Sequence, residues 1–112
     1  MTTTAARSRD YMRKLGFIAE CVEHRRGSFI RVDLFGFADV LAYKGATVDS
    51  DGKIILIQAY HRKEEKNHAH FDKEHQKKIW QWLEAGGKFE HHLWSFKSNN
   101  SRKYWSLERR DV

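Results

Sequence analysis

The chain has little of what staples or anchors a protein. Of its 112 residues only one is cysteine, Cys21, and none is proline. A single cysteine excludes a disulfide framework and a cysteine-based metal site within the chain, and it fits a reducing compartment. No apolar run approaches the ~20 residues that a membrane-spanning helix needs. The start, Met1-Thr2-Thr3-Thr4-Ala5-Ala6, lacks the long apolar segment of a signal peptide. The expected location is therefore intracellular, in the cytoplasm. Neither a zinc finger nor a recognition helix is visible, so sequence-specific reading of a DNA groove by such a module is not expected.

What is present suits one packed domain. The hydrophobic fraction is 40% with four Trp, and 21 Lys and Arg against 15 Asp and Glu leave a net charge of +6. That balance suits an anionic partner, most often nucleic acid. Thr4 to Leu15 reads as a helix, with Thr3 or Thr4 as cap and Gly16 as terminator. Phe17 to His24 alternates as a strand, Phe29 to Phe35 is extended or irregular, and Gly36 bends the chain. Phe37 to Tyr43 and Lys53 to Tyr60 read as core strands around the turn Asp49-Ser50-Asp51-Gly52. Four consecutive aliphatics, Ile54 to Ile57, predict burial on both faces and helices on both sides of the sheet. Phe71 to Ala85 is a second helix, Lys88 to Phe96 a fourth strand, and Tyr104 to Leu107 a short edge strand. The order αβββαβ makes the first three strands an antiparallel meander and lays the fourth parallel to a neighbour. The fold class expected is α/β (α+β), a mixed sheet flanked by helices.

Two polar residues interrupt the apolar runs. Asp39 stands in Phe37-Ala38-Asp39-Val40-Leu41-Ala42, and Gln58 in Ile54-Ile55-Leu56-Ile57-Gln58-Ala59-Tyr60. A buried strand has no structural use for either. By alternation Asp39 shares a face with Leu41 and Tyr43, and Gln58 with Leu56 and Tyr60; pairing in register brings the two together. Mg2+ takes hard oxygen ligands, typically one or two carboxylates beside carbonyl and water. Asp33, six residues before Asp39 across the glycine bend, is a further candidate ligand, as are Glu20 and Glu23 on the first strand.

Helix, meander, acid and then Gln-x-Tyr closing the third strand resembles the PD-(D/E)XK nuclease superfamily, in its Holliday-junction-resolvase-like branch of small phage and bacterial proteins. The segments carrying the resemblance are Tyr11-Met12-Arg13-Lys14-Leu15-Gly16-Phe17, Arg31-Val32-Asp33-Leu34-Phe35-Gly36-Phe37-Ala38-Asp39-Val40-Leu41-Ala42, Ile55-Leu56-Ile57-Gln58-Ala59-Tyr60 and Trp82-Leu83-Glu84-Ala85-Gly86-Gly87-Lys88. They span about residues 7 to 96 of a single domain of residues 1–112, leaving residues 97–112 as a C-terminal extension. The resemblance implies a restriction-endonuclease-like core, Mg2+ or Mn2+ as cofactor, DNA as partner, and phosphodiester hydrolysis by an endonuclease or resolvase-like enzyme. It also implies a homodimer, for which Tyr104-Trp105 is a candidate surface, and a phage-encoded protein in a bacterial host.

Carried over by position, Asp39 is the central metal ligand and Gln58 stands in for the motif's glutamate. Tyr60 falls where the motif has its lysine, and Thr4 to Arg9 holds no first-helix acid. The expected metal ligands are Asp39, Asp33, Gln58 and Glu23. Lys78 and Arg62 are equal candidates for the missing cation. Arg25, Arg26, Arg31, Tyr60, Lys63, Lys66 and Lys77 are the expected nucleic-acid contacts. Two readings compete with catalysis: a nucleic-acid-binding domain whose chemistry is lost, and a protein-binding inhibitor module. The histidines are expected at the surface or facing DNA.

Overall fold

The structure, a computed structural model, describes residues 2–26, 30–65 and 73–112; at 24–26 and 30–31 it describes the backbone only. Helix α1 (Thr4–Lys14) begins where Thr3 Oγ1 accepts the Ala6 N–H at 3.1 Å. It ends at Gly16, whose φ of +94° L side chains rarely adopt. Ala5, Ser8 and Met12 form its buried stripe. Helix α2 (Lys73–Glu84) buries Ile79, with Trp82 and Leu83 packed beside it.

Between and after them run β1 (Ile18–Cys21), β2 (His24–Arg26), β3 (Ile30–Val32), β4 (Val40–Lys44), β5 (Lys53–His61), β6 (Lys88–Asn99) and β7 (Arg102–Asp111). The main sheet has the order β1-β4-β5-β6-β7. The pairs β1–β4, β4–β5 and β6–β7 are antiparallel, and β5–β6, joined across α2, is parallel. Among the described residues the result is a compact α+β domain with a five-stranded mixed sheet and two α-helices. Ile55, Ile57, Val40 and Ala42 pack against Ala5 and Met12 of α1. Leu56, Phe37 and Phe89 pack against Ile79 of α2. The double-sided burial of β5 follows from its uninterrupted aliphatics.

Four boundaries differ from expectation. The first strand stops at Cys21, and the chain leaves the sheet to make a separate β2–β3 hairpin. The second core strand starts at Val40 rather than Phe37. Leu34 to Ala38 is instead a tight turn closed by Leu34 N–H to Ala38 O at 2.7 Å. Strand β6 runs to Asn99, and the short edge strand expected at Tyr104 to Leu107 is the ten-residue β7, a full partner of β6. Propensity alone undervalued these segments because their side chains are polar; the hairpin pairing supplies the order.

Candidate metal centre

The turn before β4 builds the site. Phe35 and Gly36 both take positive φ, 57° and 83°. A Cβ on Gly36 would lie 2.4 Å from His75 Nε2 of α2, so this helix packs on the turn only because residue 36 is glycine. The turn folds Asp33 back toward Asp39. The Asp39 N–H then donates to Ile57 O at 2.9 Å, and the Asp39 carbonyl accepts the Val22 N–H at 2.9 Å. Those two bonds hold the end of β1, the start of β4 and the middle of β5 around one point.

One carboxylate oxygen from each of Glu23, Asp33 and Asp39 lies within 4.8 Å of the other two. Asp39 is buried at 8% exposure, while Glu23 and Asp33 are half-buried. Burial, reinforced by the charge of Asp33, pushes the Asp39 carboxyl from its ordinary 3.8 up to about 8; the Ala59 N–H, donated at 3.1 Å, opposes this. Two carboxylates at such spacing repel by roughly 3.5 kcal/mol at an effective dielectric of 20. Three acids gathered at such spacing could hold a metal ion.

Gln58 supplies a second, independent sign. Val40 pairs with Ile57, which sets Gln58 opposite Asp39 on the face toward α2. Its Nε2 donates to Asp33 Oδ2 at 3.4 Å, and its Oε1 is buried without a hydrogen-bond partner. An orphaned carbonyl oxygen in an interior is costly. Through its bond to Asp33 the amide adjoins the acid cluster, which makes its oxygen a further candidate ligand for a hard divalent cation. The donor set is oxygen only, which fits Mg2+ or Mn2+ and does not fit a zinc site of His and Cys.

The remaining candidates fall elsewhere. Glu20 is exposed and paired with Arg13 at 2.9 Å. Tyr60 is buried at 3% exposure, its hydroxyl 2.9 Å from His91 Nδ1, and burial raises its pKa further. It is a neutral core phenol rather than a cation. Arg62 is hydrogen-bonded to Glu108. Lys63, Lys77 and Lys78 are exposed. Lys66 lies outside the described residues, as do the side chains of Arg25, Arg26 and Arg31. His91 pairs with Gln58 along β5–β6, and Arg110 with His91 along β6–β7, so Asp39, Gln58, His91 and Arg110 form one row across the sheet. A groove of about 700 Å³, lined by Tyr60, Ile79, Trp80, Phe89 and His91, opens beside that row.

The sequence reading missed a second polar group, on the α1 face. The Trp94 indole N–H donates to Ser8 Oγ at 2.9 Å, and Ser8 lies 2.8 Å from His92 Nδ1. His92 Nε2 lies 3.0 Å from Glu90 Oε1, and Arg109 donates two bonds to Glu90, each 2.8 Å. Because the ionised Glu90 carboxylate only accepts, the ring proton sits on Nε2, and Nδ1 accepts from the Ser8 hydroxyl. Burial holds His92 below its ordinary pKa against the pull of Glu90, so the ring is neutral. His92 and Ser8 are both fully buried, contrary to the expectation of surface histidines. This Ser–His–Glu chain has no access for a substrate and is a structural bond network. Its signal was in the sequence: Glu90 and His92 interrupt a buried strand, as Asp39 and Gln58 do.

Compared with known proteins, the chain matches no protein-family model, no curated protein and no solved structure.

Proposed function

We propose that the protein is a metal-dependent DNA endonuclease with a restriction-endonuclease-like core, which holds Mg2+ or Mn2+ at Asp39, Asp33, Glu23 and Gln58. The observation that carries this reading is the convergence of three carboxylates, one of them buried, beside an amide whose oxygen is buried without a hydrogen-bond partner. When bound, the cation would neutralise a phosphate and lower the pKa of a coordinated water, the two needs of phosphodiester hydrolysis. Asp39 is the fixed ligand, locked by the Ala59 amide. Asp33 and Gln58 orient one another, and Glu23 adds charge from the end of β1. The net charge of +6 supports an anionic polymer as substrate.

A second reading, a DNA-binding domain without cleavage, draws on two specific observations. Tyr60 is tied to His91 and Arg62 to Glu108, so neither takes the part of the motif's lysine. Cleavage of labelled linear, flapped and four-way DNA with Mg2+ or Mn2+ separates the readings. Wild-type protein is expected to cut, and Asp39→Ala to lose that activity. Cutting that survives Asp39→Ala sinks the proposed centre; salt-sensitive binding with no cutting and no metal requirement favours the second reading.

A further inference from the structure

We propose that the hairpin arm Ser95–Ser106 is a duplex-DNA contact that lies in the major groove beside the metal centre. The proposal takes the identity of the polymer from the reading above, and the arm itself supplies the rest. Strand β5 ends its pairing at His61 with Trp94, whereas β6 continues to Asn99 and β7 returns from Arg102. Among the described residues, the two strands from Ser95 to Ser106 therefore pair only with each other. The arm turns through Asn100 and Ser101, both left-handed at φ 46° and 62°. That is the two-residue turn that matches the twist of paired strands and keeps a ribbon regular.

The arm has the dimensions and charge of a groove-binding element. Five strand rises from Ser95 to the turn reach about 17 Å. The B-DNA major groove, about 12 Å wide and 8.5 Å deep, admits a two-stranded ribbon. Lys97, Arg102 and Lys103 are exposed, and no acid occurs between Glu90 and Glu108. Cross-strand pairing puts Lys97 with Tyr104 and Asn99 with Arg102 on one face. By alternation this is the face that carries His91 and Gln58, so Lys97 and Arg102 lie on the same side of the sheet as the metal centre, whereas Lys103, paired with Ser98, lies on the other.

The root of the arm is fixed. The Arg7 guanidinium lies 4.0 Å from the Trp105 ring centre, and His61 and Phe96 flank that ring at 5.3 and 5.2 Å. Lysine and arginine along the arm work against a second chain pairing edge to edge. The deep, narrow major groove of A-form RNA does not admit a ribbon. Duplex DNA is the occupant that meets both constraints.

The test is fluorescence anisotropy of the full chain with a short labelled duplex across a salt series. In the combined Lys97→Ala, Arg102→Ala variant, two fewer phosphate contacts should flatten the slope of log affinity against log salt by about 1.8. Affinity should fall at least about tenfold. Mg2+-induced thermal stabilisation should be unchanged, because these side chains are exposed and none belongs to the acid cluster. An unchanged slope and affinity overturns the arm, and so does equal competition by double-stranded RNA of the same sequence. Either result leaves the metal centre to its own measurement, the Mg2+ titration. A wild type that Mg2+ does not stabilise, but whose slope responds to the arm, overturns the centre and keeps the arm.

Discussion

Asp39 and Glu90 sit on opposite faces of one sheet, at 8% and 4% exposure, and their surroundings treat them in opposite ways. On the α1 face, Glu90 takes two bonds from Arg109 and one from His92, and these hold its carboxyl down at about 2 although burial pushes up. On the α2 face, Asp39 has the Ala59 amide but meets Asp33 and Glu23, and its carboxyl rises to about 8. A protein that stabilises one buried acid through its neighbours has not run out of means to stabilise another. The difference teaches that the α1 group sets its acid beside a cation of its own, Arg109, while the α2 group sets a buried acid beside two more acids, where a metal ion could be held.

The largest effect that would test the contrast is on the complete side. Glu90→Ala leaves the buried His92 and the one-third-exposed Arg109 without their acceptor; breaking a fully buried pair typically costs about 3–5 kcal/mol, and solvent at Arg109 brings the expected loss to the lower end. Denaturant unfolding should record a loss of that size, with the Mg2+-induced shift in melting temperature kept. A loss below about 1 kcal/mol would mean that the α1 group is less coherent than its geometry implies.

The same contrast was only half legible in the sequence. Alternation read the faces of β5 correctly, because four aliphatics in a row leave little choice of strand type, and it put Gln58 on the face that carries Tyr60. The tight turn that brings Asp33 home needed the structure, since Phe35 at positive φ is a conformation that sequence does not announce. Glu90 and His92 were missed for a different reason. Their partners, Arg109 and Ser8, come from the far end of the chain and from α1, so the interruption of the strand was visible in the sequence but the network that explains it was not. Strand β7 was underestimated for the same reason: ten polar-rich residues become a strand by pairing with β6, not by their own pattern.

A pH profile sharpens the comparison, because the two carboxyls act with opposite sign. Between about pH 4 and pH 8 the unfolded chain has lost the Asp39 proton and the folded chain still holds it, so stability falls as pH rises through that window and levels off above about 8. The four-unit difference corresponds to a cost on the order of 5 kcal/mol. Glu90 contributes stability that is present above its ordinary 4.5 and is lost as pH falls toward about 2. Thermal unfolding of the metal-free protein should therefore peak near pH 4.5. Asp39→Asn, which keeps an acceptor for the Ala59 amide, should flatten the alkaline limb and raise stability at pH 8 by roughly 2–4 kcal/mol. It should also abolish stabilisation by Mg2+. An Asn variant that still gains stability from Mg2+ would place the cation elsewhere.

The smallest and most diagnostic change is at Gln58. Its Oε1 is the orphan of the site, and Gln58→Glu alters one atom group while keeping shape. Without a cation, the new carboxyl joins Asp33 and Asp39 and is expected to stay protonated at neutral pH, so folding should change by only about 1 kcal/mol. With a cation, a fourth carboxylate adds attraction that the amide lacks. Mg2+ affinity, read as the midpoint of thermal stabilisation, should tighten about tenfold, equivalent to about 1.4 kcal/mol. The opposite change, Gln58→Leu, removes both the orphan and the contact with Asp33, and it should loosen Mg2+ while leaving the metal-free fold as stable as before or more so. A purely structural glutamine predicts the reverse order: Leu costly, Glu costly, and Mg2+ indifferent to both. The pair of substitutions thus separates an amide that packs a loop from one that waits on a cation, at the position where the two faces of the sheet differ most.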